Sequence, residues 1–208
     1  SPRRTARIRE MNLDELKEKG LFVPPVEKRY LELPEPTAQD NLPDVSRMVS
    51  YLKAKYDEHR LVVELPVIRK IPDILRKDGF KVTVTLARPV HEGRKTHIIN
   101  IQPGDTTDRN YAVAMDIGTT TVYGQLIDII NGKVLAQHAD FNGQISYGED
   151  VISRIVYAEK PGGLDKLHDV VIKTMNAVIK KIVAQAGIDP DEISAITIAG
   201  NTTMTQLL

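Results

Sequence analysis

The sequence has no cysteine and no tryptophan among its 208 residues, and only 3 phenylalanines. Without cysteine the chain forms no disulfide, holds no thiolate metal site or cysteine-ligated iron–sulfur cluster, and offers no cysteine nucleophile. The shortage of aromatics removes the stacking platform that single-stranded nucleic acid requires. An excess of charge is missing too: Lys+Arg 28 balances Asp+Glu 28, for a formal net charge of +0. Nucleic acid and anionic membrane are therefore not expected partners, because both select a basic excess. No run of about 18 apolar residues occurs, so no transmembrane helix is predicted. The basic start, with Arg3, Arg4, Arg7 and Arg9, is not followed by an apolar stretch and does not read as a signal peptide. The chain starts without Met, which reads as a processed or truncated piece, and the cytoplasm is the expected location.

What is present is ordinary globular material, 41% hydrophobic and 27% charged. Breaker residues divide it into three. Residues 1–36 predict one short helix at 13–19, with Asn12 and Glu15 in a capping-box arrangement and Gly20 as its stop. Pro24-Pro25 and Pro34-Glu35-Pro36 make residues 23–36 an expected semi-rigid extended linker. Residues 37–108 predict a small α+β domain. Leu42, Val45, Val49, Leu52 and Tyr56 recur at helical spacing, as do Ile68, Ile71, Ile74 and Leu75. Strands are expected at 61–65, at 81–86 (half-buried, from its alternation) and at 96–102, the last two joined by a turn at 91–94.

Residues 109–208 predict the order β-β-β-α-β. A buried strand at 111–115 leads into Asp116-Ile117-Gly118-Thr119-Thr120-Thr121. Asn131-Gly132 between the next two strands predicts a type I′ turn. Helical patterning covers 147–158 and 164–182 and ends at Gly187. The last strand, 195–199, is joined by a helical crossover and is expected parallel to the first. It runs into Gly200-Asn201-Thr202-Thr203.

The hexapeptide Asp116 to Thr121 is the sharpest chemical feature. Gly118 lets the backbone approach a ligand closely. Successive amides and the hydroxyls of Thr119, Thr120 and Thr121 can wrap phosphate oxygens. Asp116 is an acceptor-only carboxylate suited to Mg²⁺ or its bound water. A polar β-turn that uses Asp and Gly for geometry alone remains open. No GxxxxGK[ST] or GxGxxG competes with it. Glu149 and Asp150 suit the N-terminus of a helix, or a cleft carboxylate. Arg154, four residues after Asp150, predicts an i,i+4 ion pair. The five histidines have no metal-ligand spacing.

The stretch Val113-Ala114-Met115-Asp116-Ile117-Gly118-Thr119-Thr120-Thr121 resembles the first phosphate loop of the acetate and sugar kinase, Hsp70 and actin superfamily. The run from Gln144 through Tyr147-Gly148-Glu149-Asp150-Val151-Ile152-Ser153-Arg154-Ile155 is similar to the ATP-dependent reductive activators of corrinoid proteins. So are Ala199-Gly200-Asn201-Thr202-Thr203-Met204 and Phe22-Val23-Pro24-Pro25.

The resemblance implies a fold class of α/β and α+β: an extended linker (1–36), a small α+β middle domain (37–108) and the opening of a ribonuclease H-like, actin/Hsp70-type ATPase domain (109–208). It implies that ATP hydrolysis drives an electron from a [2Fe–2S] cluster to Co(II) in a partner corrinoid protein, restoring Co(I) for methyl transfer. The cluster would lie in an upstream domain. Asp116 becomes the catalytic, Mg²⁺-side carboxylate. Gly118, Thr119 and Thr120 become β/γ-phosphate contacts, with Thr121 beside them. Gly200, Asn201 and Thr202 become the facing turn, although helix capping by Asn201 or Thr202 explains them as well. A homodimer is what the family suggests. The superfamily's second phosphate loop is not found here, so this piece is expected to bind ATP weakly or not at all alone. Two other readings remain: a small-molecule kinase of the same superfamily, and a non-catalytic partner-docking fragment.

Overall fold

The computed structural model describes Glu15, Glu18, Lys19 and residues 24–89 and 95–208. The cap and stop expected for the first helix, at Asn12 and Gly20, and the expected turn at 91–94 lie outside the described residues.

Two four-stranded sheets organise the chain. The first unit contains β1 (Val26–Glu32), α1 (Asp44–Tyr56), β2 (Leu61–Val63), α2 (Leu65–Lys77), β3 (Lys81–Ala87) and β4 (Thr96–Pro103). Its strand order is β1-β3-β4-β2. β3 pairs antiparallel with β1 and β4, and β2 runs parallel to β4. The apolar stripes of both helices, Met48 and Leu52 on α1 and Val67, Ile71 and Leu75 on α2, close over Val82, Val84 and Leu86 of β3. Helical periodicity and strand alternation thus meet at one core.

Two expectations differ here. The 23–36 segment is extended, but residues 26–32 are a sheet strand with Val26, Lys28 and Leu31 buried, not a free linker. Prolines on either side leave it an edge strand, where a missing donor is tolerated. β3 is not half-buried: Val82 to Leu86 are all buried. It lies between two strands, and its second face is closed where the Thr83 hydroxyl donates to Gly104 O (2.7 Å) and accepts from the Thr106 amide (2.9 Å).

The second unit contains β5 (Tyr111–Ile117), β6 (Thr121–Asp128), β7 (Lys133–Phe141), a 3-10 turn (Gly143–Tyr147), α3 (Val151–Ala158), α4 (Gly163–Ala186), a second 3-10 turn (Pro190–Glu192), β8 (Ile193–Gly200) and α5 (Thr202–Gln206). Its strand order is β7-β6-β5-β8, with β8 parallel to β5 across the α4 crossover. Leu167, Val171, Met175, Val178 and Ile182 of α4 pack on Val113, Met115, Ile117, Val122 and Leu126. α4 ends on Gly187, whose φ of 67° is the left-handed conformation glycine adopts freely.

One face of β5 is buried and the other is partly buried over the 111–115 stretch expected as a buried strand. Val113, Met115 and Ile117 point to α4, while Asp116 on the other face is exposed. The Asn131-Gly132 turn is not type I′, because only Gly132 of the pair has a positive φ. The loop is longer, closed by the Gly132 amide on Asp128 O (2.7 Å). The Asp128 carboxylate accepts from the Ile130 amide and the Asn131 side chain. The aspartate side chain replaces the backbone geometry that two left-handed residues would supply.

Candidate functional site

Ile117 pairs with Gly200, and Asp116 with Ala199, in the parallel register of β5 and β8. Parallel strands end on the same side of a sheet, so the two Gly/Thr turns leave it side by side. They touch: a Cβ built on Gly200 would lie 3.3 Å from Ile117 O. The structure therefore brings Asp116, Gly118, Thr119, Thr120 and Thr121 together with Gly200, Asn201 and Thr202.

The first turn is tight. Gly118 N donates to Thr121 O at 2.9 Å, and a Cβ on Gly118 would meet that oxygen at 2.8 Å. All three carbonyls of residues 118–120 are held from inside the protein. Asn142 Nδ2 donates to Gly118 O (2.9 Å), Arg154 Nη2 to Thr119 O, and the Asn142 amide to Thr120 O (2.8 Å). In a trans peptide the following N–H points opposite to the C=O. The amides of Thr119 and Thr120 therefore face outward, and among the described residues they have no hydrogen-bond partner. The side chains of Asp116, Thr119, Thr120 and Thr121 have none either. A turn with fixed inward acceptors and free outward donors is a nest for an anion.

Behind it sits a buried polar network. Gln144 Nε2 donates to Leu167 O of α4 (3.0 Å), and its Oε1 accepts from Arg154 Nη1 (3.2 Å) and Asn142 Nδ2 (3.4 Å). Asn142, Gln144 and Arg154 are each 1% exposed or less. Arg154 corrects its expected role. It makes no ion pair with Asp150; its Nε donates to Gly148 O (2.8 Å), and Nη1 reaches Met204 Sδ (3.3 Å) on α5. Asp150 instead caps α3, accepting from the Ser153 amide (2.8 Å) while the Asp150 amide donates to Ser153 Oγ (3.2 Å). The Ser153 amide first, and then the Ser153 hydroxyl, hold the Asp150 carboxyl below the usual range.

In the second turn Asn201 Oδ1 accepts from the Met204 amide (2.9 Å), so Asn201 is the N-cap of α5. The Thr202 side chain is exposed and has no partner among the described residues.

Sequence reasoning missed Asn142 and Gln144 as parts of the site. Asn142 directly follows a strand and precedes Gly143, a turn signal that carries no hint of its contact across 24 residues to Gly118. Gln144 opens the run already singled out, but its partners are fixed only by packing.

The donor set suits magnesium and polyphosphate together. Mg²⁺ is commonly held by one or two carboxylates plus phosphate oxygens and water, and Asp116 is one uncommitted carboxylate beside an anion nest. Among the described residues no group of three or more His, Asp or Glu side chains is placed to hold a metal by itself. An iron–sulfur cluster does not fit this chain, which has no cysteine. No helix among the described residues is long and apolar enough to cross a membrane.

Two family models, the RACo linker region and the RACo middle region, match residues 15–108 and 111–208. The corrinoid activation enzyme RamQ of Eubacterium limosum is 41% identical over 112 residues, covering 53% of this chain and 19% of RamQ. A solved reductive activator for corrinoid, iron-sulfur protein matches with a TM-score of 0.72 and 38% identity, covering 89% of this chain and 29% of that one. The chain belongs to the RACo family of corrinoid reductive activators, and its mixed α/β fold is theirs. It spans less than a third of the length of either relative.

Proposed function

We propose that this chain forms part of a cytoplasmic, ATP-dependent activator that returns the Co(II) corrinoid of a partner protein to Co(I). The start of the chain joins it to an electron-carrying domain, residues 26–108 form its small α+β domain, and 109–208 open its ATPase domain. The observation that supports this most is the pairing of Ile117 with Gly200, which sets two Gly/Thr turns side by side at one sheet end. The names of its relatives point to the corrinoid partner.

When bound, Mg–ATP supplies the hydrolytic free energy that an uphill electron transfer needs. The chain's own residues bind and orient it. The amides and hydroxyls of Thr119 and Thr120 donate to the β/γ-phosphate oxygens, with Thr121 flanking them. Gly118 keeps the backbone close enough for that contact. Asp116 takes the magnesium side, and Gly200, Asn201 and Thr202 face the phosphates from the second turn. The electrons come from a [2Fe–2S] domain that this cysteine-free chain does not supply, and the assembled activator is a homodimer.

A titration of the ¹⁵N-labelled chain with Mg–ATP tests the site. Weak binding is expected, with amide shifts confined to residues 116–121 and 200–202. Asp116→Asn should abolish the magnesium dependence of those shifts while changing stability by no more than about 0.5 kcal/mol, because Asp116 is exposed and unpartnered. Shifts centred elsewhere, or an unaltered magnesium dependence in the variant, would remove Asp116 and the two turns from the mechanism.

A further inference from the structure

Arg154 is a fully buried charge without a counter-charge among the described residues. It is 0% exposed, and every acceptor it reaches is neutral: two backbone carbonyls, the Gln144 amide oxygen and the Met204 sulfur. Desolvation pushes the guanidinium below its ordinary value, and Asp150 only partly opposes this. An arginine nevertheless stays charged. The site is built to admit it: a Cβ on Gly148 would lie 2.8 Å from Arg154 N and 2.9 Å from Arg154 Cγ.

For stability alone this is a poor arrangement. A buried cation held only by dipoles carries a desolvation cost that neutral acceptors offset less well than a carboxylate would. The placement explains the cost. One guanidinium nitrogen lies behind the Thr119 carbonyl, and another lies against Met204 at the base of the second turn. The cation therefore sits beneath both turns, on the far side of the peptides whose amides face outward. Its field and theirs point the same way, toward the place where an anion would rest.

We infer that Arg154 is a positioning residue for polyphosphate: with Asn142 it holds the carbonyls of residues 118–120 inward, and its uncompensated charge draws the anion that completes the site. This rests on the reading of 118–121 as a phosphate loop. Asn142 and Gln144 supply the neutral part of the clamp, and Arg154 supplies the only charge in it.

Magnesium tripolyphosphate, which has no adenosine, is the probe. Amide shifts of Gly118, Thr119 and Thr120 in the 208-residue chain give its affinity, and thermal melts followed by circular dichroism give stability. Arg154→Met is expected to weaken tripolyphosphate binding at least about tenfold, as loss of a charge-assisted site does, and to lower the melting temperature because Gly148 O and Thr119 O lose their donor. Arg154→Lys keeps the charge but not the four-way clamp. It should retain affinity within about threefold while hydrogen exchange at Gly118 and Asn142, whose amides close the turn, speeds up. A merely structural arginine would instead weaken binding equally in both variants, and that result overturns the proposal. If Arg154→Met fails to fold, Arg154→Lys decides: retained affinity supports the charge role, and a tenfold loss overturns it. Failure of the unaltered chain to bind tripolyphosphate at these amides overturns the phosphate-loop reading itself, and the proposal with it. Equal affinity of wild type and Arg154→Met overturns the proposal alone.

Discussion

The Lys28 ammonium on β1 is buried against the Arg109 carbonyl, in the connection between the two sheets. It also donates to Gln102 Oε1 (2.9 Å) and Thr106 O (3.3 Å). Across the same boundary Asn100 Nδ2 donates to Asp191 O (3.0 Å), and within the second unit Arg109 pairs with Glu192 (2.8 Å). One lysine of the first sheet thus fastens the strand leading into the site.

Burial lowers the Lys28 pKa, with Glu192 opposing it. In the alkaline window below about pH 10.4 the unfolded chain therefore binds more protons than the folded one. The penalty from this group is complete below the folded value and is relieved as pH rises through it, so stability from Lys28 rises with pH there. Urea melts of wild type and Lys28→Met from neutral pH to pH 11 should show wild type gaining on the variant. A constant difference would show that Lys28 is not buried as a cation.

Gly118→Ala should open the phosphate turn. Its Cβ would meet the Thr121 carbonyl, a backbone atom that cannot swing aside, at 2.8 Å. A cost of about 1–3 kcal/mol is expected, as for other overpacked sites. Faster hydrogen exchange at Gly118 itself should accompany it, since its amide bond to Thr121 O must lengthen. Protection unchanged from wild type would contradict the tight turn.

Gly124→Ala tests the seat of the crossover helix. A Cβ there would lie 2.7 Å from Val178 Cγ1 on α4. Alone it should destabilise by about 1–3 kcal/mol. Combined with Val178→Ala, which removes the clashing methyl, it should cost less than the sum of the two single changes. A double-mutant cycle by circular dichroism measures the coupling. Strict additivity would place α4 further from β6 than the structure does.

Much of the site was legible in the sequence because its chemistry is local. Gly118 followed by three threonines at a strand end is a local pattern that suits a phosphate turn, as it also suits a polar β-turn. The parallel β8 followed from the long helical stripe of Leu167, Val171, Met175, Val178 and Ile182. Arg154 was misread because helical spacing offers Asp150 as a partner. Asp150 instead caps α3, and Arg154 points into the protein. The 26–32 strand was missed because flanking prolines dominate its local signal, while its partners on β3, from Val26↔Ala87 to Glu32↔Lys81, lie far along the chain.

The sequence by itself determined that hydroxyls, a carboxylate and a glycine stand together in six positions at a strand end, groups of the kind that phosphate and magnesium select. It also excluded a cluster held by this chain, since no cysteine is present. Only the tertiary structure decided that the two Gly/Thr turns are neighbours, that the loop's carbonyls face inward, and that an unpaired cation lies behind them. Those facts depend on strand register and on buried hydrogen bonds between segments 24 to 50 residues apart. Such bonds form because a buried polar group must find a partner wherever packing places one.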